Sequence, residues 1–135
     1  MNKNKIQILI IVFVVMFTML ACEFSASTAK ISDAYLTANE DGSGNTTVFS
    51  GDQTFYCVVT VANAPDDTTL KAVWTGVDVE GVDPNFLIDE VELTTDGQNE
   101  FTFNLQNDGL WPVGTYKVEI FLNGTLDQTL EFTVQ

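Results

Sequence analysis

The residues of this 135-residue chain that could do chemistry fall into four groups. Asn39, Asp41 and Ser43 set oxygen-bearing side chains at alternate positions ahead of Gly44, the way a calcium loop opens. Counted from Asn39, position twelve is Ser50 rather than a bidentate glutamate, so Asp52 or another loop would have to complete the set. Without a metal the same residues make a hairpin loop. Asp78 with Glu80, and Glu90 with Glu92, are i, i+2 pairs that share a face of any strand they occupy. Such pairs can act as acid and base or clamp a cation, and glycosidases hold two carboxyls about 5–9 Å apart across a cleft. On a small β-domain, alternating acids read instead as a solvent face. Trp111, between Leu110 and Pro112, either stacks on a ligand or partner from an exposed loop or caps a core. Cys57 sits in an apolar alternation with no cation beside it, so it reads as a packed thiol rather than a nucleophile.

Composition removes several function classes. The chain has no histidine, which excludes Ser-His-Asp and Cys-His nucleophile systems and leaves no imidazole for a zinc or copper site. The expectation is a protein without catalysis and without a cofactor, calcium at the 39–45 loop being the one ion with any pattern behind it. All nineteen acidic residues follow residue 21, against Lys30, Lys71 and Lys117 and no arginine, a formal charge of −16 for that part. Nucleic acid is excluded as a partner, because neutralising phosphates takes a basic footprint. The same charge stands the domain off an anionic bilayer surface and admits cationic partners.

The N-terminus positions everything after it. Lys3 and Lys5 precede Ile6–Leu20, which is apolar except for Gln7 and Thr18. The run is shorter than the roughly 20 residues of a membrane-spanning helix and ends on a small residue, as a secretory signal peptide does. Thr18-Met19-Leu20-Ala21-Cys22 resembles the lipobox of bacterial lipoproteins. That resemblance implies removal of residues 1–21, lipid attachment at Cys22 with 22–29 as a tether, and a domain held on the extracytoplasmic side of a bacterial membrane. Two or more acyl chains hold firmly where one does not. An ordinary secreted protein and an uncleaved anchor are the alternatives. With Cys22 lipidated, Cys57 is the one remaining thiol; otherwise a Cys22–Cys57 bridge is open to it.

Residues 30–135 alternate in period two between turn clusters. Strands are expected over 30–38, 46–49, 54–62, from about Leu70, over 87–93, over 101–105, from Tyr116 to Leu122, and around Leu130–Val134. Phe55, Cys57, Val59 and Val61 face the core, as do Leu70, Ala72 and Trp74. At Gly76 the phase flips, which predicts a bulge or a change of sheet. Leu87, Val91 and Leu93 are expected inside, with Ile88, Glu90 and Glu92 outside. Asn123-Gly124 is the preferred pair for a type I′ hairpin, although a longer loop would also serve. The fold class is all-β, an antiparallel two-sheet sandwich of about seven to nine strands.

Cys57 in mid-strand, Trp74 on the next strand and Tyr116 two residues before Val118 make that sandwich similar to immunoglobulin-like domains. The resemblance implies a core tryptophan at Trp74 and a tyrosine corner at Tyr116. Val118 stands where the second cysteine belongs, so the inter-sheet disulfide is lacking. Gly114-Thr115-Tyr116-Lys117-Val118 is also similar to the late strand of bacterial immunoglobulin-like and fibronectin-like surface modules. The functional expectation is a membrane-anchored, non-catalytic interaction module whose partner is an envelope protein or polysaccharide. A calcium- or carbohydrate-binding module is the alternative, and an inhibitor of a secreted hydrolase a further one.

Overall fold

The computed structural model describes residues 28–135; the expected signal segment and Cys22 lie outside the described residues. Eight strands follow one another: β1 Lys30–Thr37, β2 Val48–Phe49, β3 Phe55–Ala62, β4 Thr69–Val79, β5 Phe86–Thr94, β6 Glu100–Leu105, β7 Gly114–Leu122 and β8 Thr125–Val134. They form a three-stranded sheet, β1-β3-β6, and a five-stranded sheet, β2-β8-β7-β4-β5. All pairings are antiparallel except the two-residue β2, which lies parallel to the end of β8. Among the described residues no helix is long and apolar enough to cross a membrane.

Period-two alternation explains why the sheets face each other. Phe55, Cys57, Val59 and Val61 from β3 meet Leu70, Ala72 and Trp74 from β4, with Tyr116, Val118 and Ile120 from β7, and all are buried. This is the two-sheet sandwich that the alternation predicts and the immunoglobulin-like resemblance implies, with Val118 and not a cysteine on the strand facing β3. Cys57 is a free, buried thiol. Val58 is buried too, although it points away from the core. The Gly42 backbone lies over it, held by the Tyr35 hydroxyl donating to the Gly42 carbonyl.

Two bulges decide which side chains reach the site. Between Gly76 and Asp78 the β4–β7 register shifts, leaving Val77 unpaired; this is a bulge, and β4 stays in one sheet. It lets Val79 turn inward and close the end of the core. A second shift, opposite Trp74, leaves Ile88 unpaired between Leu87 and Asp89. One extra residue reverses the alternation. Ile88 therefore packs on the core and Leu87 is 54% exposed, the opposite of the sequence expectation for these two. Val91 and Leu93, beyond the bulge, pack inward as expected.

At the other end of the sandwich, Leu122 pairs with Thr125 across Asn123 and Gly124, both at positive φ, so the two-residue hairpin forms and the longer loop does not. Asn123 accepts the Thr69 amide on its side-chain oxygen and donates its own amide to the Thr69 carbonyl, tying the turn to β4.

Register gives the sandwich two distinct poles. Lys30 pairs with Ala62, and Leu70 with Leu122, so the chain enters at the pole that carries the 123–124 turn. Phe55 pairs with Leu105 and Val79 with Gly114, so the 79–85 and 106–113 connections lie at the opposite pole. The nine residues of β7 separate the poles by about 30 Å.

Candidate functional site

The pole opposite the chain entry is built on aromatic side chains. Trp111 stacks on Phe55, with ring centroids 4.8 Å apart, and meets Tyr116 edge-on. Phe49, Phe55 and Phe132 pack edge to face, and Tyr116 stacks on Phe132 at 5.4 Å. Tyr116 donates its hydroxyl to the Pro112 carbonyl at 2.6 Å, four residues upstream. This is the bond that defines a tyrosine corner. Burial raises the Tyr116 phenol above its ordinary pKa, which keeps the donor protonated. The Trp111 amide donates to the Gly51 carbonyl at 2.8 Å, and the Glu80 amide to the Val113 carbonyl at 3.1 Å. The 106–113 connection is thus pinned from three sides.

Gly114 makes that arrangement possible. A Cβ there would stand 2.7 Å from the Val79 Cα and press on the Asp78 carbonyl, so only glycine lets β7 approach β4 so closely.

Between the two pinned connections a cleft of about 270 Å³ opens, lined by Gly76, Val79, Val82, Phe86, Ile88, Asn107, Trp111, Pro112 and Tyr116. Tyr116 and Trp111 form its floor, and the bulged Ile88 and Phe86 its wall along β5. A Cβ on Gly76 would meet Val79 and Ile88, so the missing side chain is part of what keeps the cleft open. Val82, Phe86, Leu87, Leu110 and Val113, large apolar residues between 40% and 73% exposed, all belong to this pole. Glu80, Asp83 and Asp108 stand exposed within two residues of its lining, and no lysine lines it. A surface of this kind binds by excluding water from apolar area, with the charged rim setting which partners approach.

The sequence candidates are distributed differently. Trp111 is at the cleft, but as its floor: only 8% of it is exposed, so it offers an edge and not a free stacking face. Asn39, Asp41 and Ser43 do come together. Ser43 donates both its amide, at 3.0 Å, and its hydroxyl, at 2.6 Å, to the Asp41 carboxylate, and Asn39 donates its side-chain amide to the Ser43 carbonyl at 2.9 Å. Those hydrogen bonds from Ser43 lower the Asp41 pKa. The loop's polar groups are spent on one another, with Gly42 and Gly44 in the left-handed region. Among the described residues no group of three or more acidic or cysteine side chains is placed to hold a metal.

Glu90 pairs with Lys71 at 3.5 Å on the outer face of the five-stranded sheet, Glu92 and Asp78 are exposed on their strands, and Glu80 is exposed in the turn after β4, so Asp78 and Glu80 do not share a strand face. Cys57 is enclosed, and desolvation pushes its thiol up to about 12, which keeps it from acting as a nucleophile near neutral pH. Among the described residues the buried indole N–H of Trp74 has no hydrogen-bond partner.

Sequence reasoning missed Val82, Phe86 and Val113. The available signal was their placement: large apolar residues inside the turn segments Gly81-Val82-Asp83-Pro84-Asn85-Phe86 and Leu110-Trp111-Pro112-Val113, where polar residues are the rule.

No family model and no curated protein matches this chain. Solved structures do. An immunoglobulin-like protein from Pseudomonas aeruginosa superposes with a TM-score of 0.56 at 14% identity, over 82% of this chain and 99% of that one. The alkylpurine DNA glycosylase of Pseudomonas fluorescens, bound to DNA containing an abasic site analogue, matches with a TM-score of 0.53 at 14% identity over 82% of this chain. This chain spans only 31% of the glycosylase. At such identities the likeness is one of fold.

Proposed function

We propose that this protein is a lipid-anchored interaction module: an immunoglobulin-like domain, tethered through Cys22 outside the cytoplasmic membrane of a bacterium, that binds an envelope partner through the pole opposite its tether and catalyses no reaction. The observation that carries the binding end of this reading is an apolar cleft with exposed Val82 and Phe86 in its lining, at the pole where Leu87, Leu110 and Val113 are also exposed. Apolar groups grouped at one pole are costly to leave in water, whereas single exposed ones are commonplace.

The geometry suits an anchor at Cys22. The chain enters the domain at the far pole, so the cleft is presented about 30 Å further from the membrane than the point of attachment. The residues ahead of β1, Glu23 to Ala29, reach at most about 25 Å when extended. Asp66, Asp67, Asp96 and Glu100, exposed near the entry pole, repel anionic headgroups and hold the domain upright.

The test is cell fractionation with in-cell crosslinking of the full-length protein beside Cys22→Ser. The expected result is membrane recovery with added lipid mass at Cys22, loss of both in Cys22→Ser, and a crosslinked species that depends on Phe86 and Val82. A mature chain with no lipid mass would remove the anchor. Crosslinks unchanged by Phe86→Ala with Val82→Ala would remove the binding pole.

A further inference from the structure

We infer that β5 accepts an extended, lysine- or arginine-bearing segment of a partner protein as an added strand, with one large apolar side chain of that segment seated in the cleft. This rests on the reading of the domain as a binding module and names the chemistry of what it binds.

The backbone supplies the first reason. Among the described residues β5 is the outermost strand of its sheet and pairs with β4 alone, so Phe86–Thr94 present donors and acceptors without a strand beside them, although the Glu90 amide donates to the Asp89 carboxylate at 2.9 Å, a contact that an added strand would displace. An edge of that length is a template for an added strand, in which main-chain hydrogen bonds supply affinity and pockets for alternate side chains supply selectivity.

The cleft is the second reason. It opens at the start of this same strand, where Phe86 and Ile88 form its wall. A chain laid along β5 therefore passes its mouth. At about 270 Å³ it has room for one large side chain.

Charge decides between occupants. Asp89, Glu90 and Glu92 line β5 and are exposed, Glu80, Asp83 and Asp108 stand in the adjoining connections, and the lysines nearest in the sheet, Lys71 and Lys117, are engaged with Glu90 and Glu119. A second copy of this chain added edge to edge would bring carboxylates against carboxylates, and like charges across strands destabilise the pair. Asp89 guards the edge in the way charged edge residues commonly do. The guard excludes acidic and self-pairing strands while favouring cationic ones, so the same residues provide both solubility and choice of partner.

The experiment uses a random twelve-residue peptide library displayed on phage, panned against the full-length protein in detergent micelles, followed by amide hydrogen exchange with the best synthetic peptide. The expected result is enrichment of peptides that combine lysine or arginine with a large apolar residue, and slowed exchange of β5 amides on binding. Affinity should fall about tenfold in Phe86→Ala and again in Glu90→Gln with Glu92→Gln, and should collapse when alternate peptide amides are N-methylated. Binding of neutral or acidic peptides, protection away from β5, insensitivity to N-methylation or no enrichment would each overturn the inference. A partner captured in cells through the cleft pole while β5 stays unprotected would sink strand addition and leave the proposed function standing.

Discussion

Replacing Tyr116 by phenylalanine removes one oxygen and tests what holds the cleft pole together. The phenol is buried and its hydroxyl donates to the Pro112 carbonyl at 2.6 Å, while the ring stacks on Phe132 and meets Trp111. Phenylalanine keeps the ring contacts and loses the bond, so the loss is that of one hydrogen bond to a part-buried carbonyl, about 1–2 kcal/mol. In a domain of roughly 100 residues this lowers Tm by about 5–10 °C. The change is also local: the Trp111 amide, bonded to the Gly51 carbonyl, should exchange faster, because Pro112 is no longer held next to it. Tyr56→Phe is the control, since the Tyr56 hydroxyl has no hydrogen bond among the described residues and its removal should cost under about 0.5 kcal/mol. Urea unfolding of the two variants beside the wild type, with exchange measured at Trp111, decides the matter. Equal stabilities for Tyr116→Phe and Tyr56→Phe, or unchanged exchange at Trp111, would refute the idea that the corner positions the cleft.

Other substitutions probe the remaining contacts. Gly114→Ala should destabilise the fold by more than about 2 kcal/mol in the same assay, because the new methyl has no space between β7 and the Val79 backbone. Trp111→Ala should cost about 3–5 kcal/mol, as expected for a core cap stacked on Phe55 rather than a free ligand platform. The Cys57 thiol keeps its proton to about pH 12 when folded, whereas an unfolded thiol titrates from 9.0, so between those values the unfolded chain binds fewer protons. Stability should therefore fall as pH rises through that window, by on the order of 3–4 kcal/mol at its top, and Cys57→Ala should remove that part of the decline in urea titrations at pH 8, 10 and 11.5. The Asp41 carboxyl titrates below its ordinary value, so what it adds to loop order is present near neutrality and lost in acid; the protection of the Ser43 amide, its exchange rate relative to that of an unstructured amide at the same pH, should fall in acid and should already be low at neutral pH in Asp41→Ala.

Much of the sandwich was legible because burial on one face of a strand leaves a period of two. Cys57, Trp74, Tyr116 and Val118 lie where alternation and spacing put them, and Asn123-Gly124 makes the turn that its tolerance of positive φ favours. The bulge near Gly76 was legible as a break in phase. The bulge at Ile88 was not, because Leu87 and Ile88 are both aliphatic and their sequence carries no mark of which one leaves the ladder. The choice is made across the sheet, opposite Trp74. The parallel seam of β2 on β8 was hidden for a similar reason: two residues carry too little pattern to state a partner. The cleft depends on three things that meet only in space, the bulged Ile88, the pinned 106–113 connection and the bare Gly76, so its residues read one by one as turn and edge positions.

The proposed function puts partner contact at the cleft pole, opposite the pole where the chain enters the domain. Placing a photo-crosslinking amino acid at Val82, at Leu110 and, on the entry pole, at Asp66 of the full-length protein and irradiating cells reads out this contact. One shared crosslinked partner should appear at Val82 and Leu110 and be lost when Phe86→Ala is added, with no such species at Asp66. A partner captured equally at Asp66, or at Asp66 alone, would contradict it.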